Sequence, residues 1–132
     1  MSGKTYTGWC LDKHDREALL ARFPARYDQV VADHVTLAFD PKKPRLPRET
    51  AAEVVGETDD GHGVQALVVR IGGETERPDG STYHLTWSLG PGRQGRESND
   101  VLRQRGWRLL ASPIPIRLEP RLLGKSGSST QG

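Results

Sequence analysis

The sequence predicts an α+β domain in which strands outnumber helices. Three observations carry this. Short β-branched and aromatic runs recur along the chain, only two stretches show helix start and stop signals, and Gly- and Pro-rich turns separate them. A chain of 132 residues fits one domain with a real core. Residues 1–123 are expected to form that domain, and 124–132 ("GKSGSSTQG") a flexible tail.

Residues 5–11 ("TYTGWCL") read as the first strand. Asp12 can cap a helix that carries Leu19, Leu20 and Phe23 at helical spacing and stops at Pro24. Residues 34–39 ("HVTLAF") read as a strand, and Pro41, Pro44 and Pro47 make an extended loop. Residues 49–55 fit a short helix or a strand equally well. "DDGHG" at 59–63 is a turn, and "VQALVVRI" at 64–71 is a strong strand. A hairpin-like loop, "GGETERPDGS", leads to a strand at 82–89 ("TYHLTWSL"). A glycine-rich loop follows. Ser98 is expected to cap a helix over 99–105 that Gly106 ends. "WRLLA" and "IPIRLEP" read as two late strands around Pro113 and Pro115.

Hydrophobic residues make up 34% of the chain and charged residues 27%, with a formal net charge of +2. That is too mild a surplus for a protein that coats duplex nucleic acid. Arg93, Arg96, Arg103, Arg105 and Arg108 cluster, which fits either an anionic partner or a solvated helix face. The lone Cys10 cannot form an internal disulfide. No apolar run is long enough to span a membrane, and no signal-like leader is seen, so a cytoplasmic monomer is expected. There is no H-E-x-x-H and no Cys/His cluster, so neither a metal nor another cofactor is expected.

One phrase occurs twice. His34-Val35-Thr36-Leu37 and His84-Leu85-Thr86-Trp87 both sit inside expected strands. Strand residues two apart share a face, so each phrase presents a histidine and a threonine together, with its apolar residues behind them. If the two strands lie side by side, two imidazoles and two hydroxyls meet. Two rings that titrate near neutrality can serve as acid and base, and two hydroxyls can hold the oxygens of a phosphate. Both rings must then lie within roughly 5–8 Å of each other to reach one phosphate. The structural alternative is a buried pair whose polar atoms merely satisfy one another.

This pair of H-x-T-hydrophobic motifs resembles the two-histidine (2H) phosphoesterase superfamily. The opening "YTGWCLD…LL…F…HVTLAF" and the later "YHLTWSL" with "GRESNDVL" are similar to the branch that holds the cyclic phosphodiesterase domain of fungal tRNA ligase. RNA ligase-like 2′,5′ phosphoesterases belong to the same superfamily. The resemblance spans residues 6–102. It implies a bilobal fold, with two antiparallel sheets around a central cleft, pseudo-two-fold symmetry and few helices outside. It also implies metal-independent hydrolysis of 2′,3′-cyclic phosphate ends of RNA or of small nucleotides to 2′-phosphates. Carried over by position, His34 is the general acid, His84 the base, and Thr36 and Thr86 hold the phosphate. Ser98 gains a phosphate contact from the resemblance, while Arg93 and Arg96 could reach a phosphate from the glycine-rich loop. The chain is shorter than most members, which leaves the substrate class open: 2′-5′ linkages, another cyclic nucleotide, or binding of an RNA end without turnover.

His14 is expected to be solvated and His62 to sit in a turn. Trp9, Tyr83 and Trp87 read as core or cleft wall, with Tyr83 on the face opposite His84.

Overall fold

The computed structural model describes residues 6–39, 47–48 and 50–123. The expected proline loop at 41–46 and the tail at 124–132 lie outside them. Seven strands and two helices follow in the order β1 (Tyr6–Leu11), α1 (Lys13–Arg22), β2 (Gln29–Val30), β3 (His34–Phe39), β4 (Ala51–Asp59), β5 (Val64–Ile71), β6 (His84–Leu89), α2 (Glu97–Arg105) and β7 (Arg108–Leu123). The class is mixed and mostly strand, as the turn and strand signals predict.

All seven strands belong to one antiparallel sheet, ordered β2-β6-β3-β1-β7-β4-β5. Because β5 also pairs with β6, six of the strands close into a barrel, and β2 extends the edge of β6 that β3 occupies. The expected pair of sheets around a cleft is thus replaced by one continuous sheet. Closure means that none of those six strands ends the sheet. The barrel core gathers Trp9, Val35, Val54, Leu67, Leu85, Trp87 and Ile116 with their neighbours. Tyr83 packs there too, edge-to-face on Trp9 at 5.8 Å between ring centroids.

The first helix forms as its sequence signals. The Asp15 amide donates to Asp12 Oδ2 at 3.1 Å, which satisfies one orphan N–H of the first turn. Leu19 joins the core, and the Trp87 indole donates to the Phe23 carbonyl at 2.7 Å, tying the helix end to β6. The second helix packs on the outer face of the barrel. Val101 meets Val31, Val64 and Leu89, and Leu102 meets Val55 and Val68.

Two expectations change. The ambiguous segment at 49–55 is strand β4, because Val54 faces the core and Val55 faces Leu102, so both of its sides are buried. The two late strands are the single strand β7, despite Pro113, Pro115 and Pro120. Its first part pairs with β4 up to Arg117, and its second part pairs with β1 from Leu118. Among the described residues, each proline therefore stands where one edge of β7 has no strand partner, so the missing N–H need not break a ladder bond.

Where β4 changes register against both neighbours, Gly56 lies under Trp107. A Cβ at this position would sit 2.1 Å from the indole ring and 2.9 Å from the Arg108 carbonyl oxygen. Gly56→Ala is expected to cost about 1–3 kcal/mol by overpacking. Urea unfolding measures this, and an unchanged midpoint would show that the ring moves aside freely.

Candidate functional site

The pairing of β3 with β6 sets Val35 opposite Leu85. Both are fully buried in the barrel core. Alternation then turns His34, Thr36, His84 and Thr86 to the opposite face, all on the same side of the sheet. Thr36 stands across from His84, and His34 across from Thr86. The two four-residue phrases run antiparallel to each other about the Val35–Leu85 pair. The histidines are diagonal neighbours, a relation that spans about 7–8 Å in an antiparallel pair and less between the Cβ atoms. Gly8 on β1 and Ala66 on β5 flank the two threonines, so small residues border both phrases.

The entry to β3 is bent. Ala32 holds φ at 44°, a left-handed conformation that a side chain disfavours. Its amide donates to the Thr86 carbonyl at 3.0 Å, and its own carbonyl accepts from Arg16 Nε at 2.9 Å. The pairing with β6 runs Gln29 to Leu89 and Val30 to Ser88, then resumes at Val35 to Leu85. Two extra residues are taken up at this bend, an even number that leaves His34 on the face that strand alternation gives it.

The face is covered. His34 is 6% exposed, His84 and Thr86 are 1%, and Thr36 and Ser98 are fully buried. The His84 Nδ1 lies 2.9 Å from the Thr82 carbonyl oxygen. A carbonyl only accepts, so Nδ1 carries the hydrogen, and in the neutral ring Nε2 keeps a lone pair. Burial lowers the His84 pKa to about 4, with the Arg77 and His34 charges pushing the same way and the Thr82 hydrogen bond opposing. The ring is therefore neutral at physiological pH. Among the described residues, its Nε2 has no hydrogen-bond partner, and neither does the buried Thr36 hydroxyl. Orphaned buried polar atoms are costly, so a pair of them contributed by facing residues points to a ligand position.

Three neighbours complete the face. The Thr86 hydroxyl donates to the Gly95 carbonyl at 3.2 Å and shares a 2.9 Å hydrogen bond with the Ser98 hydroxyl. Asp33 Oδ2 lies 3.5 Å from His34 Nδ1, and that contact, more than any other, holds the Asp33 carboxyl below its usual range. Arg77, 2% exposed, donates to the Thr36 carbonyl at 3.1 Å, to the Ser81 hydroxyl at 2.7 Å and to the Asn99 side-chain oxygen.

The structure thus gathers His34, Thr36, His84, Thr86 and Ser98. Ser98 is not the expected cap: the helix begins at Glu97, with Arg96 in the cap position and no side-chain cap bond. The serine points inward to Thr86 instead. Arg93 lies elsewhere, between Asp60 at 3.0 Å and Glu97 at 2.7 Å, and lines a separate cavity with His62 and Gln104. Arg96 is exposed. His14 and His62 are exposed, and Trp9, Tyr83 and Trp87 are core. Sequence reasoning missed Arg77 and Asp33. The adjacency of Asp33 and His34 was a usable signal; a lone arginine in a polar loop gave none.

Among the described residues, no group of three or more His, Cys, Asp or Glu is placed to hold a metal, and no helix is long and apolar enough to cross a membrane. No protein-family model, curated protein or solved structure matches the chain.

The buried ring links stability to pH. The folded-state pKa of His84, about 4, lies below the unfolded value of about 6.5. As pH falls below the unfolded value, the unfolded chain takes up the proton first. Its contribution to stability is then lost between those two pH values, to a total of about 3 kcal/mol. His84→Gln should remove this component. Urea unfolding of both proteins from pH 7 to pH 4 measures the difference, and parallel curves would contradict the neutral buried ring.

Proposed function

We propose that the chain is a metal-independent phosphodiesterase of the 2H type, hydrolysing 2′,3′-cyclic phosphate ends of RNA or of small nucleotides. The observation that carries the proposal is the shared face of the two H-x-T phrases, with His84 Nε2 and the Thr36 hydroxyl lacking partners among the described residues. In this reading the antiparallel pairing of β3 with β6 does what the two H-x-T strands of a 2H enzyme do, bringing both phrases to one phosphate.

The neutral His84 takes a proton from water at Nε2 as the water oxygen attacks phosphorus. His34 protonates the departing 3′ oxygen as its bond to phosphorus breaks. The product carries a 2′-phosphate and a free 3′ hydroxyl. His34 ends neutral and His84 protonated, and exchange with solvent resets both. Asp33, beside Nδ1, orients the His34 ring as the acid. The Thr36 hydroxyl donates to a non-bridging oxygen, and the Thr86 hydroxyl joins it when it turns from Gly95. Substrate entry requires the cover over the face to open. Arg96, exposed at the start of α2, is placed to meet the rest of a nucleotide chain.

Burial favours a second reading. All four side chains are closed off, and Thr86 is already paired with Ser98. On that reading the face is a polar layer, or a site that binds a nucleotide end without turnover.

Hydrolysis of 2′,3′-cyclic AMP in EDTA separates the two. Wild type is expected to produce 2′-AMP. His34→Ala and His84→Ala should each lose about 10²–10⁴-fold in kcat/KM, and the losses should not add. Activity that survives both changes, or that needs a divalent metal, would assign the phrase to packing.

Two finer outcomes follow from the geometry. Thr36→Ala should lose about 1.5–3 kcal/mol of transition-state binding while remaining folded, as read from kcat/KM and a thermal melt. In the free enzyme the acid limb of the kcat/KM profile should lie near pH 4, where His84 takes up its proton. A limb at the ordinary histidine value would show that the base is solvated.

A further inference from the structure

The loop between β5 and β6 buries one guanidinium against the candidate face. Arg77 is 2% exposed, and its donors reach three separate segments: Ser81 in its own loop, the main-chain carbonyl of Thr36 on β3, and the Asn99 side chain on α2. The Asn99 side-chain amide in turn donates to the Arg96 carbonyl at 3.0 Å, at the start of α2. A planar fork with fixed donor directions is suited to this bridging, which a flexible ammonium could not reproduce. Burying a guanidinium is costly, and such a group persists where its bonds specify one arrangement.

We propose that Arg77 is the positioning residue of the H-x-T face: it fixes the Thr36 main chain, and with it the direction of the Thr36 hydroxyl, while holding the start of α2 over the face. The proposal rests on the phosphodiesterase reading of that face. The arginine does not touch the reacting atoms; it acts through Thr36. Its charge also bears on His84, where it adds to the effect of burial and favours the neutral ring. Among the described residues, the other titratable group that acts on that ring is His34, with Asp33 beside it. Asp79 favours the arginine's charge, against the effect of its burial. The α2 carboxylates Glu97 and Asp100 are engaged by Arg93 and Arg103.

The test uses 2′,3′-cyclic AMP turnover in EDTA together with nuclear magnetic resonance titration of the His84 ring, in wild type, Arg77→Met, Arg77→Lys, Thr36→Ala and the Thr36→Ala/Arg77→Met double variant. Arg77→Met should lower kcat by about 10–10²-fold with a smaller effect on KM, the size expected for one misplaced donor. The double variant should be no slower than Thr36→Ala, because one residue acts through the other. The His84 midpoint should rise in Arg77→Met and stay near wild type in Arg77→Lys, which keeps the charge. Should Arg77→Met fail to fold, a Thr36→Ala/Arg77→Lys pair carries the same cycle. Full turnover in Arg77→Met, or losses that simply add, would overturn the proposal and leave the phosphodiesterase reading standing. An inactive wild type would overturn that reading instead. In that case an unchanged His84 midpoint in Arg77→Met would overturn this inference as well, and a raised midpoint would keep Arg77 as organiser of the face.

Discussion

Everything at the candidate site depends on one strand pairing. When Val35 meets Leu85, two apolar side chains enter the barrel core and four polar ones are sent together to the other face. A slip of one residue on either strand would put a histidine and a threonine into the core and a leucine or valine outside. The core therefore holds the register that keeps these four side chains together. Closure of the sheet strengthens this, because β6 is pinned on its second edge by β5, with Leu67 opposite Leu85. The bend at Ala32 completes it by absorbing two residues just before His34.

On this scaffold the two halves of the repeated phrase are not equivalent. His34 has a carboxylate beside one ring nitrogen, whereas His84 has a main-chain carbonyl there and lies close to a buried guanidinium. Symmetric sequence thus meets asymmetric surroundings. For His84, burial and the guanidinium charge favour the neutral ring. The threonines differ as well: Thr86 is engaged by Ser98 and Gly95, while the Thr36 hydroxyl has no partner among the described residues.

Much of this was legible in the chain because the signals are local. The period of two in "HVTLAF" and "YHLTWSL" gave the strands and the shared face of each His–Thr pair, and Asp12 gave the first helix its cap. What escaped was long-range. Barrel closure depends on β5 meeting β6 and on β7 bridging β1 and β4, and no local pattern records such pairings. The prolines of β7 read as breaks because their missing N–H matters only where a second partner strand lies alongside. Ser98 looked like a cap, yet its hydroxyl goes to Thr86 across the helix–sheet interface. Arg93 looked like a phosphate ligand, but Asp60 from the nearby turn claims it. Arg77 carried no pattern, since its role comes from three segments that meet only in the fold.

The most direct measurement is a crystal structure with 2′-AMP, the product of the proposed reaction. The account predicts that the phosphate lies between the two H-x-T phrases. His84 Nε2 and the Thr36 hydroxyl, which lack partners among the described residues, should then be within hydrogen-bond distance of its oxygens, with His34 on the opposite side. A phosphate bound elsewhere, with the face closed and both atoms still without partners, would contradict it.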